Sequence, residues 1–377
     1  MAIADTPSRH HAFQRLVIAG GGTGGHFYPG MALVEAARAS WPALEVTFVG
    51  TADGPEARLV PAHGLRFAAV AGAPYYGVGT LGRVRTLDRL VVGVAQARRV
   101  LRTVRAQLVI GLGGFASAGA VLAARSLGLP SILYEANATA GLANRLLGRV
   151  ADRILLGFGS ATSDFPAERC HTTGIPVRQA VYRAAAMRPS PWTATSGQPF
   201  RVLVLGGSQG SSFLNARVPG LLRALGRRGV PCAVQHQTGD ADAGAVRAAY
   251  AGADVLAEVA PFFDDVGAAY ERADFAITCA GAGTLAELAA AGIPALAVPL
   301  GCAARDHQRA NAQAFAAVTR LWWIPEESWD EPAMAERLAG LATDPAALAA
   351  AGARMRSAAT PMAARDVLDA CEQLVRG

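Results

Sequence analysis

Two glycine-rich turns, each between an apolar run and a helical stretch, constrain the fold of this chain more than any other feature. The first, AGGGTGGHFYPG (residues 19–30), follows the run RLVIAG, and the second, LGGSQGSSFLN (205–215), follows PFRVLV. Glycine loses more conformational entropy on folding than any other residue, so this density predicts that something approaches the backbone closely. Turns between a strand and a helix also expose backbone N–H groups and a helix N-terminus to an anion.

Short apolar runs alternate along the chain with longer alanine- and leucine-rich stretches, which predicts parallel sheets with helices on both faces. The predicted strands of the first half are residues 15–20, 45–50, 66–72, 107–113, 131–137 and 153–158, and its clearest helices are 30–40 and 117–128. In the second half, a strand, turn and helix over 199–225 precede strands in CAVQHQTG, DVLAEVAPF, FAITCAG and PALAVPL.

This pattern restarts after a segment rich in Pro, Ser and Thr, which predicts two doubly wound α/β domains joined by a linker. The length of 377 residues is sufficient for two domains of ordinary size. We expect an N-terminal Rossmann-like domain over 1–182, a linker over 183–200, a C-terminal Rossmann-like domain over 201–360, and a last helix over 361–377 that can pack back on the first domain.

Composition excludes several classes of protein. Hydrophobic residues make up 52% of the chain, which is incompatible with global disorder. No apolar run reaches the roughly 18–20 residues that a membrane-spanning helix needs, and the N-terminal residues lack the apolar core of a signal peptide. We therefore expect a protein of the cytoplasm or one bound peripherally to the cytoplasmic face of a membrane.

The cysteine and histidine spacings and the net charge further restrict the kinds of site and partner that we expect. The five cysteines are scattered without a CxxC pair, and the seven histidines show no HExxH spacing, so neither a disulfide framework nor a metal site is predicted. The net charge is +6, and all 35 basic residues are arginine. This excess is compatible with phosphates, nucleic acid or acidic lipid as partners and does not choose among them.

The glycine turns alone leave the nature of the ligand open. Neither has the GxxxxGK[ST] spacing, which excludes a P-loop. The first has a GxGxxG-like spacing at Gly20, Gly22 and Gly25, but the only acidic residue near the end of the second strand is Asp53. A dinucleotide-dependent reductase is therefore a weak alternative. Two opposed glycine turns are better suited to a ligand with a diphosphate on each side of a cleft.

Eight ordered motifs carry a resemblance to a known family. They are GGGTGGHFYPGMAL (20–33), GLGGFASAGAVLAARSLGLPSILYEANATAGLANRLL (111–147), TGIPVR (173–178), LGGSQGSSFLN, HQTG (236–239), PFFDDVGAAYERADFAIT (261–278), GTLAELAAAGIPALAVPL (283–300) and DHQRANA (306–312). In this order, and over nearly the whole chain, they resemble the MurG family, the UDP-N-acetylglucosamine transferases of bacterial cell-wall synthesis.

The resemblance implies a GT-B fold, in which two Rossmann-like domains face each other across a cleft. It implies an inverting, metal-independent transfer of GlcNAc from UDP-GlcNAc to the 4-hydroxyl of undecaprenyl-diphosphate-linked N-acetylmuramoyl-pentapeptide, a step of peptidoglycan synthesis. The implied partners are this donor, this lipid-linked acceptor and the anionic inner surface of the plasma membrane. No cofactor, metal or nucleic acid is expected.

The donor side of the site is the better defined. Glu287 is a single carboxylate on an apolar helix, where burial without a partner is costly, and ribose hydroxyls would satisfy it. The resemblance gives Glu287 this role. It also places Arg178 at a phosphate, Ser208 and Gln209 at the diphosphate, Gln308 at the GlcNAc hydroxyls, and Asn137 at the donor sugar or between the domains. The backbone of Phe263 would meet uracil. The remaining donor contacts would be Gly22, Thr23, Gly24, Ala282, Gly283, Thr284, Leu285 and Ala286.

His26 follows the first glycine turn, where a base could approach a sugar hydroxyl. The resemblance makes it a candidate general base or an acceptor contact. The alternative is a histidine that caps a helix start.

The stretch 82–107 carries seven arginines and has apolar residues at helical spacing. It is typical of an amphipathic domain helix with a solvated face, and a basic helix beside an apolar patch also suits an anionic membrane surface. In the resembling family, this region associates with the membrane. The candidate membrane-facing residues are Arg83, Arg85, Arg89, Arg98, Arg99 and Arg102.

Several cleft motifs depart from the family pattern. Tyr134 and Ala136 stand in YEAN where HEQN is common, Cys279 and Ala280 replace Arg and Ser, and Phe115 replaces Tyr in GGFASAG. The alternatives are therefore a related GlcNAc transferase with another, soluble acceptor and a nucleotide-sugar sensor without activity. A UDP-GlcNAc 2-epimerase shares the two-domain layout, but the carboxylates and histidines it would need between the domains are not evident.

Overall fold

The first half of the chain forms a parallel sheet of seven strands. A computed structural model of the protein describes residues 12–21, 24–72, 80–188, 198–239, 243–251, 255–301 and 306–377, with only the backbone of residues 24 and 80–87. The strands follow the order β3-β2-β1-β4-β5-β6-β7. Their bounds are β1 Arg15–Ala19, β2 Glu45–Gly50, β3 Arg66–Ala69, β4 Leu108–Gly111, β5 Ser131–Glu135, β6 Arg153–Leu156 and β7 Cys170–Thr172.

The second half forms another parallel sheet, of six strands, in the order β10-β9-β8-β11-β12-β13. Its strands are β8 Phe200–Leu205, β9 Cys232–Gln237, β10 Val255–Ala260, β11 Phe275–Thr278, β12 Ala295–Ala297 and β13 Trp322–Trp323. In both sheets the first strand in chain order is an interior strand, and the following strands are added first on one side of it and then on the other. This is the doubly wound α/β arrangement, so the predicted fold class is confirmed.

Helices cover both faces of each sheet. Those around the first sheet are α1 Gly24–Ser40, α2 Glu56–Ala62, α3 Thr80–Thr103, α4 Gly114–Ser126 and α5 Leu142–Leu147. Those that follow are α6 Gln179–Met187, α7 Ser212–Gly226, α8 Ala243–Ala251, α9 Val266–Arg272, α10 Ala282–Ala291, α11 His307–Thr319, α12 Glu331–Ala342, α13 Pro345–Arg356 and α14 Ala363–Arg376. Short 3₁₀ turns lie at 159–164, 167–169 and 326–328.

The central strand β1 shows why the apolar runs are continuous rather than alternating. Successive side chains of a strand point to opposite faces, and both faces of this sheet are covered. Leu16 and Ile18 enter the core between the sheet and α1, whereas Val17 and Ala19 enter the core beneath α3 and α4. Every one of these four side chains is at most 1% exposed.

The first residues of the expected linker are helical in the structure. Residues 183–187 belong to α6 rather than to a linker, because Val181 and Ala184 are buried in the core of the second half. The last helix, α14, lies against α1 of the first half. Its Val367, Leu368 and Cys371 are buried in the first core, and Arg153 donates to the carbonyl of Ala370 at 2.9 Å.

Candidate functional site

The carboxyl ends of the two sheets meet through a small set of side chains. Asn311, on α11, accepts from the backbone N–H of Ala138 at 2.8 Å and donates to the carbonyl of Ala280 at 3.1 Å. Ala138 follows the carboxyl end of β5, and Ala280 follows that of β11. Ligands of doubly wound folds bind outside such carboxyl ends, so the cleft between the halves is the candidate site.

Asn137 takes part in the same junction. Its side-chain oxygen accepts from Asn311 at 3.1 Å, and its amide group donates to Glu135 at 2.9 Å. Glu135 is 3% exposed and also accepts from Asn144 at 2.8 Å. Of the two roles expected for Asn137, the structure describes the contact between the halves.

The first glycine turn lies over a buried carboxylate. Glu56, on α2, is fully buried and accepts from both the backbone N–H (2.9 Å) and the hydroxyl (3.1 Å) of Thr51. A Cβ added to Gly21 would lie 1.9 Å from the carboxylate of Glu56, and one added to Gly54 would lie 2.2 Å from it. The space that glycine leaves at these positions is therefore filled by a side chain of the protein itself. Gly22 and Thr23 lie outside the described residues.

His26 lies in the first turn of α1, beside the end of β4. A Cβ added to Gly113 would be 2.8 Å from His26 Nε2, so the imidazole packs directly on that backbone. Burial lowers the pKa of His26 below its usual value, and His307 across the cleft acts in the same direction. The charge of Glu135, a hydrogen bond with the backbone of Gly21 and the charge of Glu56 each oppose this shift. The imidazole is consequently neutral near pH 7, as a general base must be.

The second glycine turn has neutral surroundings. Gly207 and Gly210 have φ of +82° and +78°, a region that favours glycine. A Cβ at Gly210 would lie 2.0 Å from the carbonyl oxygen of Thr238, whereas one at Gly207 would meet nothing within 4 Å. Ser208 and Gln209 lie between them and are exposed, and the turn leads into α7, where Ser211 caps the helix by accepting from Leu214 at 3.2 Å.

Glu287, on α10, is held by partners from two directions. Arg178 donates to its Oε1 from Nε (3.0 Å) and from Nη2 (2.7 Å). The hydroxyl of Tyr270, on α9, donates to its Oε2 at 2.9 Å. The guanidinium of Arg178 also lies over the ring of Tyr28, 4.1 Å from its centroid. Because Tyr28 belongs to α1, Arg178 connects the first half of the chain to the carboxylate of the second.

The start of α10 presents backbone N–H groups towards the first half. Its N-cap residue, Gly281, makes no side-chain cap, and the helix begins at Ala282. Ala282 and Ala286 are buried in the core of the first half, whereas Gly283 and Thr284 are partly exposed. Leu285 is fully buried in the core of the second half. Gly283 and Thr284 are therefore the accessible members of this expected donor segment.

Two expected donor residues already have hydrogen-bond partners within the protein. The Oε1 of Gln308 accepts from the N–H of Ala280 at 3.1 Å and of Leu300 at 3.0 Å. Only its amide nitrogen is thereby left for a sugar hydroxyl. The N–H of Phe263 donates to Gln237 at 3.2 Å, and its ring is buried in the core.

Most of the residues that depart from the family pattern are core residues. Tyr134 is 1% exposed, and its hydroxyl donates to the carbonyl of Gly174 at 3.0 Å. Ala136, Cys279 and Ala280 are buried as well. Phe115 is the exception, at 37% exposed. These substitutions therefore alter packing behind the cleft more than the groups that face it.

The basic helix α3 has an exposed face. Val91 and Val92 are 70% and 48% exposed, and Arg89, Arg99 and Arg102 are exposed with them, as is Asp88. Arg98 donates to the carbonyl (3.2 Å) and hydroxyl (2.6 Å) of Ser126 at the end of α4, and Arg89 donates to the carbonyl of Gly72 at 3.4 Å. The side chains of Arg83 and Arg85 lie outside the described residues.

Two kinds of feature are absent from the residues that the structure describes. No helix there is long and apolar enough to cross a membrane. No group of three or more His, Cys, Asp or Glu side chains there is arranged to hold a metal ion.

Sequence reasoning missed four polar residues of the cleft, namely Glu56, Tyr270, His307 and Asn311. Tyr270, His307 and Asn311 all lie in quoted motifs, but nothing local distinguishes them. Their partners lie on other elements of the fold, as with Asn311 and Ala138, so spacing gives no signal. Glu56 could have been suspected, because it is an acidic residue directly after a glycine turn and a proline.

Two family models match the chain. The glycosyltransferase family 28 N-terminal domain matches residues 16–156, and the C-terminal domain of the same family matches 201–367. A protein of Magnetococcus marinus named UDP-N-acetylglucosamine–N-acetylmuramyl-(pentapeptide) pyrophosphoryl-undecaprenol N-acetylglucosamine transferase is 40% identical over 96% of this chain and 98% of its own length. A protein of the same name from Geobacter sp. strain M21 is 39% identical over 94% of this chain and 95% of its own.

The chain is also similar to a solved structure over almost its whole length. The crystal structure of Acinetobacter baumannii MurG is 28% identical in sequence and has a TM-score of 0.74, and the match covers 96% of this chain and 100% of that one. The similarity therefore extends over both halves of the molecule and the cleft between them.

Proposed function

The chain belongs to the MurG family of glycosyltransferases, and from this membership and the geometry of the cleft we propose its reaction. It transfers GlcNAc from UDP-GlcNAc, with inversion, to the 4-hydroxyl of undecaprenyl-diphosphate-linked N-acetylmuramoyl-pentapeptide. The acceptor oxygen forms a bond to C1 of GlcNAc as the bond from C1 to the diphosphate oxygen breaks. UDP leaves with the electron pair, and the hydroxyl proton passes to a base.

The pairing of Glu287 carries the donor assignment. Glu287 is 9% exposed and lies at the cleft, with both carboxylate oxygens directed at donors. A buried carboxylate needs such partners, and the two hydroxyls of a ribose provide them in the geometry of adjacent donors. This supports Glu287 as the ribose contact of UDP-GlcNAc.

Ribose binding has to displace Arg178. Each carboxylate oxygen offers about two lone-pair positions. Arg178 fills both positions of Oε1, and Tyr270 fills one of Oε2, so one position remains for two ribose hydroxyls. We infer that Arg178 leaves Oε1 when the nucleotide enters and turns to the diphosphate. The same arginine thus neutralises Glu287 in the free protein and the leaving group in the complex.

The second glycine turn provides the rest of the diphosphate site. Gly207 and Gly210 keep the backbone of Ser208 and Gln209 open to the cleft, and the turn ends at the N-terminus of α7. N–H groups and the positive end of a helix stabilise charge that develops on a leaving diphosphate. Together with Arg178, they support catalysis without a metal ion.

His26 is the proposed base. Its lowered pKa keeps the imidazole unprotonated near pH 7, and it lies on the side of the cleft opposite Glu287. A proton acceptor on the first half and a nucleotide contact on the second would hold the acceptor hydroxyl and the donor sugar between them.

We further propose that α3 contacts an anionic membrane surface. Arg99 and Arg102 share an exposed helix face with Val91 and Val92, so cations and apolar side chains point the same way. Asp88 is exposed beside them and reduces the charge of this face by one. A lipid-linked acceptor would be presented from such a surface.

One assay tests the reaction. The protein is incubated, with EDTA present, with UDP-GlcNAc and a short-chain analogue of the lipid-linked muramoyl-pentapeptide, and UDP release and product mass are followed. We expect a disaccharide product, and a loss of about 100-fold in kcat/KM for Glu287→Gln. Glu336→Gln, an exposed carboxylate of α12, is the matched control. Binding of UDP-GlcNAc without transfer would refute the proposed acceptor.

A further inference from the structure

Tyr270 is a buried tyrosine whose hydroxyl lies against the carboxylate of Glu287. Its side chain is 0% exposed and lies in the core of the second half with Leu285, Leu288 and Ala289. Its hydroxyl donates to Glu287 Oε2 at 2.9 Å. These apolar neighbours would accept a phenylalanine of the same shape, so packing accounts for the ring but not for the oxygen.

The two partners of Glu287 differ in where they come from. Arg178 precedes α6 and lies over Tyr28 of the first half, whereas Tyr270 and Glu287 lie on neighbouring helices of the second half. Rotation of the Arg178 side chain away from Glu287 breaks the first contact and leaves the second in place. When Arg178 turns to the diphosphate, Tyr270 is the partner that remains on the carboxylate.

We propose that Tyr270 is a positioning residue that fixes Glu287 for the donor ribose and thereby sets the preference of the enzyme for ribonucleotide over 2′-deoxyribonucleotide donors. The inference rests on the proposed role of Glu287. With Tyr270 on one position of Oε2, the 2′- and 3′-hydroxyls can bind different oxygens once Arg178 has left, one at Oε1 and one at the remaining position of Oε2. Without Tyr270 the carboxylate can rotate, and a single hydroxyl is bound almost as well as two.

The state of the phenol agrees with this role. Burial raises the pKa of Tyr270 well above its usual value, and the charge of Glu287 raises it further. The hydroxyl therefore stays protonated and remains a donor across the pH range of any activity assay.

The test compares two donors, UDP-GlcNAc and its 2′-deoxyuridine counterpart, on the wild-type protein and on Tyr270→Phe. We expect the variant to raise KM for UDP-GlcNAc about tenfold with kcat almost unchanged, because a contact made equally in ground and transition states is lost. KM for the 2′-deoxy donor should change about twofold or less, so the preference between the donors falls.

Tyr182→Phe is the matched control. Tyr182 packs against the same core, and its buried hydroxyl has no hydrogen-bond partner within the described residues. Its removal should leave the preference at the wild-type value. Tyr270→4-aminophenylalanine, which keeps an N–H donor at the same place, should restore most of the preference and serves equally if the phenylalanine variant is unstable.

The possible failures are distinguishable. If the wild-type protein does not distinguish the two donors, Glu287 does not bind the ribose and the proposed donor site is wrong. If the wild-type protein distinguishes them and Tyr270→Phe does so equally, the donor site stands and the role of Tyr270 is refuted. An equal rise in KM for both donors also refutes it, because that result indicates a purely structural hydroxyl.

Discussion

The two glycine turns look alike in sequence and differ in what lies behind them. Behind the first, the carboxylate of Glu56 fills the space at Gly21, and the same carboxylate acts on His26. Behind the second, the carbonyl of Thr238 fills the space at Gly210. One turn is thus backed by negative charge and the other by neutral groups.

This difference in charge indicates different roles for the two glycine turns. Negative charge behind the first turn opposes a phosphate, whereas Glu135 and, to a smaller extent, Glu56 keep the imidazole of His26 more basic than burial alone would leave it. The neutral second turn, at the N-terminus of α7, imposes no such penalty on a diphosphate. A glycine-rich turn therefore indicates that another group lies close to the backbone, but it does not indicate whether that group is a ligand or part of the protein itself.

The largest expected effect concerns the base on the first turn. His26→Ala should lower kcat by about 10²–10⁴-fold. Because the pKa of His26 is lowered from 6.5, the wild-type rate should fall on the acid side below that pH, and the variant should lack this limb. pH–rate profiles of both proteins test this, with the exposed His171→Ala as control. An acid limb that persists in His26→Ala would exclude His26 as the base.

The next prediction contrasts a glycine from each turn. Gly21→Ala drives a methyl group into Glu56 and should reduce the free energy of unfolding by about 3 kcal/mol. Gly207→Ala meets no atom and should cost only about 1–2 kcal/mol for its left-handed backbone. Denaturant unfolding gives both values.

A double variant sharpens this contrast. In a Glu56→Ala background the cost of Gly21→Ala should fall, whereas that of Gly207→Ala should stay the same. Equal costs of Gly21→Ala in the two backgrounds would show that Glu56 does not occupy the space beneath the turn.

The neutral network beside the second turn gives a pH dependence. His236 is fully buried between Tyr250 and Asn215, each at 3.0 Å, and Asn215 also donates to the carbonyl of Thr238 at 2.9 Å. Burial lowers the pKa of His236 from 6.5 to about 4. Between these values the unfolded chain binds the proton and the folded protein does not, so stability is complete above pH 6.5 and is lost as the pH falls towards 4.

The expected loss from His236 is on the order of 3 kcal/mol. Unfolding free energies at pH 4.5 and pH 7, for the wild-type protein and His236→Gln, measure it. The variant should retain a smaller difference between the two pH values. An identical difference in both proteins would mean that His236 titrates normally in the folded state.

The smallest effect concerns the surface of the first half. Replacing Arg89, Arg99 and Arg102 by glutamine should weaken co-sedimentation with anionic vesicles several-fold, because salt screens the attraction between exposed arginines and an anionic surface. Replacing the exposed Arg320, Arg337 and Arg354 of the second half removes the same charge elsewhere. Equal weakening by both triple variants would indicate net charge rather than a binding face.

Strong periodic segments made most of the fold predictable. The runs around residues 15–20 and 45–50 became strands because they are apolar on both faces, as covered parallel strands must be. β7 and β13 were not predicted, because CHT and WW are too short to show a pattern. The sequence predicts a linker from residue 183 because proline and serine follow shortly after, but residues 183–187 are helical.

The site was less predictable because its pairings are long-range. Glu287 stood out as one carboxylate on an apolar helix, a local signal. Its partner Arg178 lies 109 positions away in the chain, so this pair forms only when the chain is folded. Gln308 is a second example. Its place at the site is expected from the sequence, but the hydrogen bonds that its side-chain oxygen accepts from the N–H groups of Ala280 and Leu300 are not.

The exchange of Arg178 is the central claim, and the structure of the protein with bound UDP tests it directly. In the structure, Arg178 Nε lies 3.0 Å from Glu287 Oε1. The account predicts that this hydrogen bond is broken with UDP bound, with both ribose hydroxyls on Glu287 and the guanidinium at the diphosphate beside Ser208. An intact Arg178–Glu287 pair with the ribose bound elsewhere would contradict it.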